Sequence, residues 1–427
     1  MLKRYAKRLM KWSVIILGGY YLLTTLIFGD ESLNERTGVY NYQWSGLDAL
    51  FNQEDFAFNV NHIAPANLNG IDGPYIVADQ KYTVNAKSEL ITETMLRDQS
   101  FVVEVGNADQ DQFNVQLQSA YSTETDHYAL PAKILAISDI EGNFDAFHSF
   151  LIANKVIDKN YDWIFGDGHL VLNGDFVDRG NQVTAVLWLI YSLEEKAKRH
   201  GGKVHFILGN HEIMNMYGNV THAERRYIGI AQRLSGEKHW EQAGKWLYSD
   251  KSEIGRWLRS KNVAEKIGGY IFVHGGLRSE HQQAQLQIAD INRIARQFYG
   301  LSPDNYPNTP TEKLVLGSYH SPYWDRSLSM SFLLRATFLA YDPLNAEIHQ
   351  PDQEEVEKIL HHFGAEKIVI GHSVVSDVRI DYAGKVIKID VKHGQAKNLA
   401  STQGLFIEHG KEFLVNAQGL RQSFQSQ

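Results

Sequence analysis

Five short stretches of this sequence gather the residue types that bind divalent metals. They are Asp139-Ile140-Glu141-Gly142-Asn143, Gly174-Asp175-Phe176-Val177-Asp178-Arg179-Gly180, Gly209-Asn210-His211-Glu212, His274-Gly275-Gly276 and Gly371-His372-Ser373. Carboxylate, amide and imidazole side chains are the ligands of hard and borderline divalent ions. The glycines let the backbone turn sharply enough for such side chains to crowd one point. One such stretch carries little weight, because an aspartate or histidine after a strand is often structural. Here each follows at once on a short apolar run: KILAIS, HLVLN, KVHFIL, YIFV and KIVI. Five in succession point to one composite site.

The elements that must hold these residues are legible from the same stretch of chain. From Lys133 onward short apolar runs alternate with helical patterns. TAVLWLIYSLEEKAKRH reads as an amphipathic helix that ends in basic residues before Gly201 and Gly202, as a helix C-terminus does. Strands alternating with helices predict a layered α/β domain with its site at the strand ends. EEVEKILHHF (Glu354 to Phe363) reads as the helix before the last motif. After it, KVIKIDV and GLFIEHGKEFLVNA read as strands that complete a two-sheet β-sandwich flanked by helices. A helical insert over Thr221 to Lys266 carries Trp240, Trp246 and Trp257, which read as core residues. An amphipathic helix with Leu286, Ile288, Ile291, Ile294 and Phe298 on one side leads into the loop LSPDNYPNTP.

The chain is 427 residues long with a net charge of −8, and the charge is unevenly placed. Lys3, Arg4, Lys7, Arg8 and Lys11 put +5 on the first 11 residues, which leaves −13 on the rest. Trp12 to Gly29 then runs without a charge, and Asp30 and Glu31 follow. As a helix those 18 residues reach about 27 Å, close to the thickness of a hydrocarbon core. The basic flank predicts a signal anchor over 12–29 with residues 1–11 in the cytoplasm. The localisation expected is single-pass at the cell membrane, with the catalytic domain outside the cytoplasm (periplasmic in a Gram-negative cell). A cleaved signal peptide is the competing reading, although no A-x-A-like site follows Phe28. Tyr20 and Tyr21 sit awkwardly in mid-span.

Residues 30–130 read as an accessory β region. A short amphipathic piece at Trp44 to Phe51 precedes strand-like PYIVA, YTVNA, FVVEV and FNVQLQ. Residues 131–416 form the expected catalytic domain and 417–427 a polar, frayed tail. The absence of cysteine excludes a disulfide scaffold, a zinc ribbon and a thiol nucleophile. The acidic balance argues against a nucleic-acid partner.

The stretches WIFGDGHLVLNGDFVDRG, GGKVHFILGNHEIMN and FVHGGL resemble the calcineurin-like metallophosphoesterases. Within them they resemble the phosphoprotein phosphatase superfamily, and most of all its Shewanella-like branch. The DGPYIV run at Asp72 to Val77 adds to the likeness, which extends over roughly residues 70 to 416. The resemblance implies a dinuclear metal-dependent phosphatase acting on phosphomonoesters. It implies two metals bridged by Asp175 and a hydroxide, the first held by Asp139 and Glu141 and the second by Asn210, His274 and His372. It makes His211 the general acid, oriented by Asp178, and Arg179 a phosphate-binding residue. SPYWDRSLS offers Arg326 as a second. The expected substrate is a phosphorylated protein, on Ser/Thr or Tyr, or a small phosphoester.

Position 141 departs from the family pattern, where histidine is usual. A glutamate adds one negative charge to the ligand set. It is expected to favour Mn²⁺, ahead of Fe, Zn or Mg, and to raise the pKa of the bridging water. The single histidine at 372 favours a phosphomonoesterase over a phosphodiesterase or nucleotide hydrolase. A non-catalytic phospho-ligand sensor that has lost its first metal is the alternative from another class.

Overall fold

The five apolar runs fold as strands, and their alternating side chains sort the core into two layers. The computed structural model describes residues 2–44, 46–47, 58–341 and 349–424. The N-terminal part comprises helix α1 (Leu2–Phe28) and strands β1 (Gly29–Asn34), β2 (Val39–Trp44) and β3 (Phe58–Ile63). Next come β4 (Asp72–Val77), β5 (Gln80–Val84), β6 (Leu90–Thr94), β7 (Ser100–Glu104), β8 (Gln112–Gln116) and β9 (His127–Tyr128). The body opens with β10 (Lys133–Ile137), α2 (Phe144–Ala153), β11 (His169–Asn173), α3 (Val183–Arg199) and β12 (Lys203–Ile207). Helices α4 (Asn210–Tyr217), α5 (Arg225–Ser235), α6 (Trp240–Leu247) and α7 (Glu253–Leu258) lead to β13 (Ala264–Ile267) and β14 (Tyr270–Val273). Then follow α8 (Ser279–Gln283), α9 (Ile288–Gln297), α10 (Pro310–Leu316), α11 (Phe332–Tyr341) and α12 (Gln353–His362). The chain closes with β15 (Lys367–Ile370), β16 (Arg379–Asp381), β17 (Val386–Lys388), β18 (Gln403–Glu408), β19 (Lys411–Asn416) and β20 (Arg421–Ser423).

Two six-stranded sheets, ordered β12-β11-β10-β18-β19-β20 and β16-β17-β15-β14-β13-β9, form the expected sandwich among the described residues. Ile134, Ala136, Val171 and Ile207 of the first share one buried cluster with Phe272, Val369 and Ile387 of the second. The intervening Leu135, Ile137, Leu170 and Leu172 pack instead with Phe144, Phe147 and Trp188 of the covering helices. That is the period-two sorting of a strand buried on both faces. Strands β10, β11 and β12 run parallel, as do β14, β15 and β17. Their carboxyl ends are where the five motifs begin.

The helical insert is shorter than its pattern suggested. Its last residues form β13, paired antiparallel with β14 from Ala264↔Val273 to Ile267↔Tyr270. Trp240 and Trp257 are buried core residues, as expected, whereas Trp246 is only half-buried. The tail is a second correction. Arg421–Ser423 pair with β19, and the Arg421 guanidinium lies over the Phe413 and Phe406 rings at 3.9 and 4.5 Å. A cation over two ring faces holds a polar segment that composition alone reads as frayed.

Helix α1 keeps its large apolar side chains exposed, and the most apolar 18-residue stretch within Arg4–Phe28 has a mean hydropathy of 1.4, which makes it a candidate membrane span or signal sequence. The awkward tyrosines have a partner. Tyr21 stacks on Trp44 with ring centroids 4.7 Å apart, and Trp44 Nε1 donates to Thr24 Oγ1 at 3.0 Å. Trp44 ends a strand; residues 48–51 of the amphipathic piece expected there lie outside the described residues. The four expected accessory strands are β4, β5, β7 and β8. The β1-β2-β3 sheet was not foreseen, because β1 carries Asp30 and Glu31 and shows no apolar alternation.

Candidate active site

Each predicted ligand sits on the turn that leaves a strand. Asp139 follows β10, Asp175 follows β11, Asn210 follows β12, His274 follows β14 and His372 follows β15. All five are buried. Asp139, Glu141, Asp175, Asp178, Arg179 and His372 all have φ between 51° and 68°. Non-glycine residues adopt this left-handed region at a cost of about 1–3 kcal/mol each, and such residues gather at functional sites. Gly174 shows why glycines flank them. A β-carbon there would run into the His274 ring and Gly209.

One buried carboxylate staples the turns together. Glu212 accepts hydrogen bonds from the backbone N–H groups of Asp175 (2.9 Å), Phe176 (2.7 Å) and Gly209 (2.8 Å). Burial and the nearby Asp175 push its carboxyl up to about 7. Asn173 ties the two sheets by donating to the carbonyls of Val273 (3.0 Å) and Val369 (3.3 Å). Its own carbonyl accepts from His274 Nδ1 at 2.8 Å. That bond orients the ring and aims Nε2 into the site.

Ligand-type atoms of Asp175, His274 and His372 lie within 4.8 Å of one another. His274 Nε2 is 3.0 Å from Asp175 Oδ2 and 3.1 Å from Asn210 Oδ1. Asp139 Oδ2 accepts from the His372 N–H at 3.2 Å. Burial pushes the Asp139 carboxyl up to about 6, with His274 opposing and Asp175 adding to the rise. Burial also lowers the His274 ring, but the Asp175 and Asp139 carboxylates outweigh it and carry the ring up to about 10. His372 Nε2 is buried without a hydrogen-bond partner. A ring nitrogen left unpaired beside two carboxylates and an amide oxygen fits a divalent cation well.

The remaining residues divide into a proton-bearing group and a cationic group. His211 Nδ1 donates to Asp178 Oδ2 at 2.7 Å, and Asn215 Nδ2 donates to Asp178 Oδ1 at 2.8 Å. Burial lowers the His211 ring, but the Asp175 and Asp178 carboxylates hold it above its ordinary value. Arg326 donates to the His372 carbonyl (2.7 Å) and Ser373 Oγ (3.2 Å), so it belongs to the site. It is not the surface partner of Asp325, which pairs with Arg278 at 3.2 Å. Arg326 also lines a cavity of about 320 Å³ with Trp324, Met330 and Phe338. Glu141 pairs with the guanidinium of Arg179.

Sequence reasoning passed over Glu212, Asn215, Asp390 and His222. Asn215 had a signal, since it lies four residues after His211 on one helix face. Asp390 is buried, and burial with the nearby Asp139 pushes its carboxyl up to about 9. Nothing local to its sequence marks it.

With this geometry in hand, comparison with known proteins is direct. The family model for calcineurin-like phosphoesterase matches residues 132–376. The chain is a calcineurin-like phosphoesterase. The matched segment spans all five strand-end motifs. This phosphoesterase is 25% identical over 264 residues to Shewanella-like protein phosphatase 1 of Plasmodium berghei, covering 60% of this chain and 66% of that protein. It is 34% identical over 196 residues to Shewanella-like protein phosphatase 2 of Arabidopsis thaliana, covering 37% and 49%. It thus spans about half to two thirds of the length of these relatives. Among solved structures it resembles a cold-active protein-tyrosine phosphatase of a psychrophilic Shewanella species. The TM-score is 0.68 at 28% identity, over 84% of this chain and 100% of the other. Fold and family support phosphoester hydrolysis, the family uses divalent metals, and Asp175, His274 and His372 form a possible site for one.

Proposed function

We propose that this chain is a membrane-tethered, dinuclear metal-dependent phosphatase that hydrolyses phosphomonoesters, with a phosphorylated protein as substrate. The observation that supports this best is the convergence of Asp139, Asp175, Asn210, His274 and His372 beside an Asp178-oriented His211. Those five residues would hold two divalent ions, with Glu141 as a further donor. Bound ions would supply Lewis-acid charge and make water nucleophilic near neutral pH.

The chain's own residues do the rest. Arg179 and Arg326 bind phosphoryl oxygens and offset the charge that develops on them. An arriving phosphate competes with Glu141 for Arg179. His211, held through Nδ1 by Asp178, delivers a proton from Nε2 to the leaving oxygen. Asn215 keeps the Asp178 carboxylate facing the ring. Attack is by water, with no phosphoenzyme. Helix α1 anchors the chain, with the catalytic body outside the cytoplasm.

The phosphoprotein substrate is favoured by the likeness to Shewanella-like protein phosphatases. The test is a substrate panel. The full chain in detergent with Mn²⁺ is given an aryl phosphate, a phosphodiester and phosphopeptides. Hydrolysis of monoesters with little turnover of the diester is expected. Preferred turnover of the diester would overturn the reading.

A further inference from the structure

The loop between α4 and α5 joins the catalytic groups to the N-terminal sheet. The backbone carbonyl of His222 accepts from the Arg179 N–H at 3.0 Å. The His222 ring lies against the His211 ring, with centroids 5.1 Å apart and planes tilted by 49°. Yet the residue itself is exposed. It therefore flanks the proton donor on the solvent side, next to the turn that carries Arg179.

The residues around His222 are not free. Val220 and Ala223 pack into a small cluster with Trp240, Ala66, Leu33, Ile63 and Ala64. Leu33 and Ile63 belong to β1 and β3, so the N-terminal sheet closes over the base of this loop. The junction is locked at several points. Trp240 Nε1 donates to the Ala64 carbonyl at 3.1 Å, and the Trp240 N–H donates to the Thr37 carbonyl at 3.2 Å. Arg36 pairs with Glu241 at 3.2 Å. Gly38, at φ 73°, lies so close to the Trp240 indole that a β-carbon would collide with the ring. The sheet thus grips Trp240 and Glu241 of α6 and, through the shared cluster, packs against Val220 and Ala223, which flank His222 in the loop.

We propose that the loop 219–224, positioned by the β1-β2-β3 sheet, is a substrate-specificity element of the site, in which the exposed His222 ring contacts the leaving-group portion of the phosphomonoester. This rests on the phosphatase reading and names what the site selects. When His211 protonates the leaving oxygen, the atoms beyond that oxygen are the ones brought beside His222. A phosphorylated side chain within a polypeptide extends past the proton donor. A small aryl phosphate ends near it. The loop thus favours phosphopolypeptides over small phosphoesters, and the N-terminal sheet is a positioning element for that choice.

The test compares wild type, His222→Ala and Gly38→Ala full chains in detergent with Mn²⁺. Steady-state kinetics are taken on p-nitrophenyl phosphate and on a phosphopeptide. In His222→Ala the ratio of kcat/KM for peptide over aryl phosphate should fall about fivefold, mainly through KM, the loss of one good contact. Gly38→Ala, which wedges Trp240 away from the sheet, should lower the same ratio in the same direction. His222→Ala carries the test if Gly38→Ala is too unstable to assay, because His222 lies on the surface. An unchanged ratio in His222→Ala would overturn the proposal while leaving the phosphatase reading intact. Wild type that hydrolyses neither compound would defeat both.

Discussion

His211 and Asp178 carry the sharpest predictions at the residue scale. If His211 delivers a proton to the leaving oxygen, His211→Asn should lower kcat for a peptide phosphate by about 10²–10⁴. The loss should be much smaller for p-nitrophenyl phosphate, whose leaving group needs little protonation. Equal losses on the two would sink the assignment. Asp178 adds a test of sign. Burial lowers the His211 ring, while Asp175 and Asp178 raise it, and the net position is above its ordinary value. The acid form therefore persists to higher pH in the wild type. Asp178→Asn should move the alkaline limb of the rate profile to lower pH, read from kcat/KM against pH. Glu141 is the residue at which the family pattern breaks. Replacing it with histidine removes one negative charge from the ligand set. Metal analysis of the purified variant should show a shift from Mn²⁺ towards Zn²⁺, and an unchanged metal content would refute the charge argument.

The elements were largely legible in the sequence, and the reasons for the exceptions are physical. Each of the five site strands is a short apolar run ending in a turn with polar ligands, and each was found. The positions of the candidate ligands followed from those ends. Glu212 was not legible as a site residue, because its role depends on which turns meet in space. The β1-β2-β3 sheet was missed because its first strand is polar, and β20 because a cation–π contact rather than burial holds it. Accessory elements are fixed by charge as well as by apolar packing. Lys261 is 2% exposed at its side chain and is held by Glu124 and by Glu194 (2.5 Å). Burial raises the Glu124 carboxyl, but Lys261 and Lys203 outweigh it and keep it below the ordinary carboxylate range. The stabilisation is therefore present at neutral pH. It is lost as pH falls from the ordinary value of 4.5 through the depressed one. Removing one partner of a buried pair costs about 3–5 kcal/mol, and the remaining Glu194 places Glu124→Ala at the low end. Thermal unfolding against pH should show the variant destabilised near neutrality and less sensitive to acid than wild type.

The whole molecule combines a cationic, apolar start with an acidic body. The −13 outside the first 11 residues repels phosphate esters at long range. If capture rests on local positive charge at Arg179, Arg326 and the metal site, as proposed, added salt should lower KM slightly by screening that repulsion. Helix α1 gives a separate prediction. An arginine at the centre of a span costs about 2.5–3.5 kcal/mol on insertion scales. If α1 is the anchor, as proposed, the native chain should float with vesicles and the double variant Ile16→Arg, Leu17→Arg should not. Retention on the vesicles would argue against α1 as the anchor. The central claim is that residues from five strand ends build one divalent-metal centre that hydrolyses phosphomonoesters. The most direct measurement pairs metal content with p-nitrophenyl phosphate turnover in chelator-stripped and Mn²⁺-reloaded protein, for wild type and Asp175→Asn. The account predicts two ions per wild-type chain, activity lost on stripping and regained on reloading, and neither tight metal nor activity in Asp175→Asn. Full turnover by stripped protein or by Asp175→Asn would contradict it.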